Sequence, residues 1–431
     1  MILRFGCENF RSISEYQEVL LTAVSKDDGD TLFSPNGIRE KVLPIVAFYG
    51  ANGSGKTNLI MSIRSLISAV AQSASSDIDR ALIPAFKLDR ESANLPSTLD
   101  MDFIFDDVHY HYGFSFDGKV VTAEWLYSFS YAHRMSKSVL FDRDISDKNS
   151  PFYFGKSLKG KNKVISEITG EASLFLSVAA KSKHKLLSNI FEYIKSHYSF
   201  RFNSGLLEEQ VAQKIRKYGF EREISRFLTL VDVGVARLEA KQVQMEEDRA
   251  NAVNSMLDAL VNSLGDLAPK GKLPLIEYQH HIEIHRENKA GEDVLFSFND
   301  ESLGTQALIS LLVSVFWVLK HGGVFVVDEI ESSLHTKLSL KVVELFNSKV
   351  TNPNGAQLIF TTHETQLLNY NGIRRDEVWL TEKSLDGSTK VAPLSDYSID
   401  KRSNLRNGYL DGRFGAIPFL SLLDDFRLFE E

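Results

Sequence analysis

An α/β fold organised around a buried, largely parallel sheet is what this sequence predicts, and three stretches carry the prediction. Residues 45–49 (IVAFY) are an apolar run that leads into a glycine-rich turn, Gly50 to Gly55, and then into helix-forming residues from Lys56 to about Val70. Residues 324–329 (VFVVDE) are an apolar run closed by two carboxylates. Residues 357–361 (QLIFT) form a third run, delivering Thr362 and His363 at its end. Strands of a parallel sheet are covered by helices on both faces, so they read as unbroken apolar runs rather than as an alternation.

The remaining elements follow in chain order. Residues 1–13 alternate and then turn at Glu8 and Asn9, which predicts a strand beside the central sheet, with residues 18–23 as its antiparallel partner. Residues 29–36 are a polar loop. Residues 99–131 alternate through MDFIFDDVHYHYGFSF, turn at Asp117-Gly118 and continue as VVTAEWLYSFSY, the pattern of a β-meander. From Gly170 to Leu267 apolar residues recur at helical spacing in SLFLSVAAKSKHKLLSNIFEYI, REISRFLTLV and AVNSMLDALVNSL. Heptads are not sustained, which predicts a compact helical insertion rather than a long coiled coil. After Pro274 a strand returns, and Ser302 opens a helix that Gly322-Gly323 closes. The expected division is residues 1–160 and 273–431 as two parts of one nucleotide-binding unit, with 161–272 inserted between them.

Composition narrows the class. The chain has 431 residues, 43% hydrophobic and 25% charged, with net charge −8. That is enough for about two to three domain-sized units of ordinary globular balance. Its single cysteine, Cys7, excludes an internal disulfide and fits a reducing compartment. The opening residues do not read as a signal peptide. The longest apolar run, Ala307 to Leu319, is broken by Ser310 and Ser314 and is shorter than the ~20 residues a membrane helix needs, so it reads as a buried helix. A cytoplasmic location with no membrane partner is the expectation. The acidic balance argues against wholesale coating of nucleic acid, and Lys156, Lys159, Lys161 and Lys163 read as a solvated loop.

The chemistry sits in the three apolar runs. Gly50, Gly53, Gly55, Lys56 and Thr57 satisfy G-x-x-x-x-G-K-[ST] between a strand and a helix. Side chains are absent where main-chain N–H groups must approach phosphate oxygens, and the helix N-terminus adds its dipole. Lys56 reaches the β- and γ-phosphates of ATP, and the Thr57 hydroxyl ligates Mg²⁺. Asn52, Ser54 and Asn58 complete the loop. Asp328 holds Mg²⁺ and Glu329 is the general base for the attacking water. Glu331 is the weaker rival for that role. Two other constellations read as structural: the pairs Asp100/Asp102 and Asp142/Asp144, and the row His281, Glu283, His285, which is expected on a solvent-facing strand edge.

Order then separates the ATPase classes. More than half the chain lies between Lys56 and Asp328, a serine-glycine turn opens the helix just before Asp328, and a histidine ends the next strand. This succession resembles the ABC-type ATPase heads of SMC proteins, RecF and double-strand-break repair ATPases. The resemblance makes Ser302 and Gly304 the signature, with Leu303 in place of the first glycine of S-G-G-Q and Thr305 inserted before Gln306. It makes His363 the switch histidine and Ile330 to His335 the D-loop, although His335 stands where many relatives carry aspartate. Asn9-Phe10-Arg11-Ser12 resembles the N-F-[KR]-S strand end that brings a basic residue, here Arg11, near the nucleotide. No glutamine fills the Q-loop place near Ala85-Phe86-Lys87-Leu88.

NFRSI, YGANGSGKTNL, ESLGTQ, VDEIESSLH, FTTHET and the tail from Gly408 to Leu420 most resemble the ABC-type, AAA-family ATPases of bacterial phage-defence loci, such as those of the AbiL and PARIS systems. The resemblance implies a P-loop NTPase head with an antiparallel meander and a helical insertion. It also implies a two-fold pair of heads enclosing two ATP molecules, with Mg²⁺. A separately encoded effector of the nuclease class and a phage trigger protein are the implied partners. The alternative is a RecF-like repair ATPase that binds DNA. A self-contained nuclease would need an added Toprim domain, and the segment after His363 is short and contains no D-x-D.

Overall fold

The computed structural model describes residues 1–24, 31–36, 38–131, 135–202, 207–264, 277–399 and 404–417. The start of the expected loop 29–36 and the end of the tail, Pro418 to Leu420, lie outside them. The chain divides into two compact units. The first comprises 1–203, 318–332 and 339–431, and the second 204–317 and 333–338.

In the first unit the chain begins with β1 (Ile2–Glu8), β2 (Gln17–Leu20) and β3 (Ile45–Gly50), and α1 (Lys56–Ser73) follows the glycine turn. The meander is β4 (Ser97–Phe105), β5 (Val108–Phe116), β6 (Val121–Ser130), β7 (Ser136–Asp144) and β8 (Phe152–Phe154). Then come α2 (Asn162–Glu167), α3 (Phe175–Lys181), α4 (Lys185–Ser196) and β9 (Tyr198–Arg201). The second unit holds α5 (Glu208–Tyr218), α6 (Glu221–Leu230), β10 (Arg237–Gln244), α7 (Glu247–Leu264), β11 (Tyr278–Glu287), β12 (Asp293–Ser297) and most of α8 (Leu303–His321). The chain closes with β13 (Val324–Val327), α9 (Thr336–Phe346), β14 (Gln357–Thr361), β15 (Val378–Lys383), β16 (Thr389–Pro393) and α10 (Leu405–Leu410).

Two sheets build the first unit. One is antiparallel, in the order β2-β1-β4-β5-β6-β7-β8. The other runs β16-β15-β3-β14-β13-β9 and is parallel except for the edge strand β16. Every residue of β3, β13 and β14 is buried, as their unbroken apolar runs require. Helix α1 packs against β1, β3, β4 and β14, and also against α3 and α4. Its buried Leu59, Ile60, Ile63, Leu66, Ile67 and Val70 join a core shared with both sheets. The Gln357 side chain bridges those sheets from a fully buried position: its Oε1 accepts Ile2 N–H at 2.8 Å and its Nε2 donates to Ile2 O at 2.9 Å. The expected fold class is the observed one, α/β with a phosphate-binding loop on the parallel sheet and an antiparallel meander beside it.

The insertion boundaries are corrected. Residues 161–203, expected in the helical insertion, belong to the first unit: the apolar face of α4 (Leu187, Ile190, Phe191 and Ile194) enters its core, and β9 extends its parallel sheet beside β13. The second unit is not purely helical. It carries a three-stranded antiparallel sheet, β10-β11-β12, with α5 and α6 packed on the face of Leu238, Ala240, Ile282 and Ile284.

The row His281, Glu283, His285 lies on the opposite face, and β11 is the central strand rather than an edge. Glu239, Glu283 and His285 come close enough to suggest a cation site. Arg237 and Lys241 already compensate them: Lys241 pairs with Glu239 and Glu283, Arg237 with Glu239 and Asp293, and His285 lies 2.8 Å from Asp293. The aspartate pairs are engaged within the protein, and of the four lysines read as a loop Lys163 lies in α2. Asp100 and Asp102 share Arg4 and face His111 and His109, Asp142 accepts Tyr127 O–H, and Asp144 accepts the Ser146 N–H. The lysines 156, 159, 161 and 163 are exposed.

Helix α8 is long and apolar enough to pass a membrane-span test by length and composition, yet Leu308, Ile309, Leu312, Val315 and Val318 are fully buried. Its apolarity is that of a core helix.

Candidate nucleotide site

The parallel strands bring their carboxyl ends together, the place where open α/β sheets hold ligands. Adjacent strands β3, β14 and β13 end respectively in the glycine turn, in Thr362-His363 and in Asp328-Glu329. Around these ends lies a cleft of about 340 Å³ lined by Asn52, Gly53, Gly55, Lys56, Thr57, Asn58, Asp328, Glu329, Thr361 and His363.

The loop is held by hydroxyls from elements remote in sequence. Ser54 Oγ lies 2.7 Å from Thr381 Oγ1, and Thr389 Oγ1 donates to Ser54 O at 2.8 Å. Thr389 Oγ1 also meets Ser12 Oγ at 2.8 Å, and Ser12 Oγ accepts from Asn58 Nδ2 at 2.8 Å. Gly55 sits at φ 105°, and a Cβ there would lie 2.0 Å from Thr389 Oγ1, so this glycine is required both by backbone conformation and by space.

Lys56 is buried and donates to Gly50 O at 2.8 Å and Ala51 O at 3.2 Å. Burial pulls its ammonium down to about 8, against the opposing pull of Asp328, Glu329 and Glu331. Thr57 Oγ1 donates to both oxygens of Asp328 at 3.0 Å, and Thr361 Oγ1 donates to Asp328 Oδ1 at 2.6 Å. A hydroxyl and a carboxylate meeting at the lip of the phosphate loop form an all-oxygen donor set suited to Mg²⁺. Glu329 adopts φ 52°, the left-handed region that a non-glycine residue enters at a cost, and its N–H donates to Thr361 Oγ1 at 2.7 Å. Its carboxylate accepts no hydrogen bond from any described residue and lines the cleft.

Glu331, the rival base, is occupied: it accepts the Thr362 hydroxyl at 2.7 Å and the His363 N–H at 2.6 Å. It therefore orients the histidine turn. His363 is lowered from its ordinary value by burial and then by the Lys56 charge.

Two groups of expected residues are not among those lining this cleft. Arg11 does not line it. It occupies a left-handed turn at φ 54°, its N–H donates to Pro84 O, and its guanidinium lies 5.6 Å from the Phe10 ring. Its neighbour Ser12 is the residue tied to the phosphate loop. Ser302 and Gly304 belong to the second unit. There Ser302 Oγ accepts the Thr305 N–H at 3.2 Å, capping α8, and Gln306 Nε2 donates to Glu301 O at 2.9 Å. A Cβ on Gly304 would lie 3.0 Å from Ser333 O, which explains the glycine. Leu303 is 76% exposed. In the D-loop, His335 Nδ1 accepts the Lys337 N–H at 3.2 Å. At the Q-loop place, Phe86 is buried and its N–H donates to Asn9 Oδ1 at 3.1 Å.

The sequence reading missed Thr361, Thr381, Thr389 and Ser12. Thr361 and Ser12 carried a signal, the first as the last residue of the strand that delivers His363 and the second as the end of the N-F-[KR]-S resemblance, where the weight was put on Arg11.

A phosphate loop, a strand-end carboxylate pair and a strand-end histidine around one cleft define a P-loop ATPase. Residues 45–369 match the family described as "AAA domain, putative AbiEii toxin, Type IV TA system", and the chain belongs to that family. Among solved structures it is similar to the SMC head domain from Thermotoga maritima (13% identity, 92% of this chain and 99% of that one, TM-score 0.40). It is also similar to the recombination mediator protein RecF-ATPrS of the RecFOR pathway (15% identity, 91% and 98%, TM-score 0.32). No curated protein matches the chain.

Proposed function

We propose that the chain is an ABC-type ATPase that acts as the sensor, scaffold and switch of an anti-phage defence system, controlling a separately encoded effector, of the nuclease class, through ATP-dependent pairing of two copies. One observation carries the reading: Lys56, Thr57, Asp328 and Glu329 converge on a single cleft with the Glu329 carboxylate uncommitted. Gly50, Asn52, Gly53, Ser54, Gly55 and Asn58 cradle the phosphates, with Lys56 compensating their charge. Thr57 and Asp328 hold Mg²⁺, which when bound offsets charge on the phosphate oxygens. Glu329 takes the proton of the attacking water, and His363 answers to the γ-phosphate.

The signature residues Ser302 and Gly304 act on the nucleotide of a second copy, so ATP favours the paired state and hydrolysis releases it. The family description, which names a toxin of a type IV toxin–antitoxin system, supports a defence setting, as does the resemblance of the tail from Gly408. A cytoplasmic location and a phage protein as trigger belong to the same proposal, and Arg11 remains a nucleotide contact only if its turn moves.

The test measures ATP turnover and self-association together. Glu329→Gln is expected to bind ATP, lose turnover and accumulate as pairs. Ser302→Arg and Lys56→Ala, each inactive alone, are expected to recover turnover when mixed, through one composite site per mixed pair. Lost turnover without ATP-dependent association, or mixed pairs that remain inactive, refutes the two-copy mechanism. Turnover stimulated by duplex DNA would favour the RecF-like alternative.

A further inference from the structure

A second groove, about 450 Å³, opens where β2 and β16 approach each other in the first unit, with no residue in common with the nucleotide cleft. Each of these strands is the end strand of its sheet, β2 pairing with β1 and β16 with β15. Gln17 spans the gap at one point, its Oε1 accepting the Val391 N–H at 2.9 Å.

The groove's apolar lining is Leu20, Val24, Trp379, Val391 and Pro393. Its charged lining is acidic: Glu18, Asp376 and Asp396 line it, and among the described residues no lysine, arginine or histidine does. Two cations reach these carboxylates from outside, one divided among several acids and one held bidentately by Asp376. Arg4, beside Glu18, also serves Asp100 and Asp102, and Arg374 pairs with Asp376. Asp396 pairs with no described cation. Trp379 is 5% exposed, yet its Nε1–H meets no acceptor among the described residues, and the buried Ser395 Oγ in the same lining is likewise unmet. A buried donor without an acceptor is unfavourable, and a ligand carbonyl would relieve it.

We propose that this groove binds an extended basic segment of a partner protein. A main-chain carbonyl of the segment accepts from Trp379 Nε1–H. The aliphatic stems of its lysines or arginines lie on Leu20 and Pro393, and their charged heads face Asp396 and Glu18. β2 is an end strand whose edge an extended peptide can use and a compact cation cannot, whereas on β16 the Thr389 and Val391 N–H groups are already taken by Ser12 O and Gln17 Oε1. The proposal stands independently of the nucleotide reading.

The chain has three tryptophans, so their indole N–H resonances can be followed in the ¹⁵N-labelled full-length protein, with Trp379 identified through Trp379→Phe. The probe is the capped peptide acetyl-Val-Arg-Val-Lys-Val-amide, compared with acetyl-Val-Glu-Val-Glu-Val-amide and with spermidine. A saturable shift of the Trp379 resonance is expected with the basic peptide only. Binding should weaken about tenfold in Asp396→Asn combined with Glu18→Gln, both at exposed positions where folding is not at stake. A Trp379 resonance that does not move, or that responds equally to the acidic peptide, overturns the proposal. Spermidine binding as tightly as the peptide also overturns it, marking a small-cation site instead.

Discussion

Replacing Thr361 by valine tests whether the carboxylate pair is held as the geometry requires. The side chain is fully buried, so the β-branched valine preserves packing on β14 and removes only the hydroxyl. That hydroxyl donates to Asp328 Oδ1 at 2.6 Å and accepts the Glu329 N–H at 2.7 Å. A hydrogen bond to a charged group contributes about 1.5–3 kcal/mol, and a buried N–H left unpaired costs about 1–3 kcal/mol more. The two losses share one group and do not add in full, so a destabilisation of about 2–4 kcal/mol is expected.

Activity should suffer separately from stability. The left-handed conformation of Glu329 costs about 1–2 kcal/mol, and the Thr361 hydroxyl is what its N–H holds on to. Released from it, Glu329 can relax, and its carboxylate no longer faces the cleft. Turnover should then fall by about 100-fold or more, the usual contribution of a general base, while nucleotide affinity changes far less. The assay combines urea unfolding midpoints, ATP turnover and nucleotide binding for Thr361→Val and Thr361→Ser. Serine keeps the hydroxyl and should recover most of both losses. A valine variant with wild-type midpoint and turnover would refute the argument.

Two further outcomes follow from the phosphate loop. Burial pulls Lys56 down to about 8, so as pH rises through that value nucleotide binding must be accompanied by proton uptake, and apparent affinity should decline towards about tenfold per pH unit. Calorimetry in buffers of different ionisation enthalpy reads that uptake directly, and a flat profile from pH 7 to about 9.5 would contradict it. Gly55→Ala combines a left-handed φ with a Cβ 2.0 Å from Thr389 Oγ1, an atom already bonded to Ser54 O and Ser12 Oγ, and should cost more than about 2 kcal/mol. Gly53→Ala, at φ 76° with open space around its Cβ position, should cost only about 1 kcal/mol. Equal thermal midpoints for the two variants would show that the Thr389 contact does not constrain the loop.

The chemical residues of the cleft were legible because each must be a particular residue type at a particular place along a strand. A glycine turn before a helix, and carboxylates closing an apolar run, are contiguous signals that need no knowledge of which strand lies beside which. The supports are different in kind. Thr361, Thr381 and Thr389 act through the register of strands far apart in sequence, and a surface serine or threonine would look the same in one dimension. Gly55 was expected for its approach to phosphate, whereas its tightest neighbour is Thr389, a residue of the edge strand β16.

The boundary of the insertion failed for a related reason. Helical periodicity shows that a helix has an apolar face but not which core receives it, so α3 and α4, which pack on α1, could not be told from α5, which packs on β11. Strand β10 has only two buried residues, Leu238 and Ala240, among charged and amide side chains, too weak an alternation to stand out from the helices around it. Without β10, β11 looks like an edge. With β10 in place, His281, Glu283 and His285 lie beside Lys241, Arg237 and Asp293, and the constellation that resembles a metal site becomes an ion-pair network across three strands. One unrecognised strand thus changed the chemistry read from its neighbour and hid that β11 and β12, expected in the part from residue 273 onward, belong to the second unit.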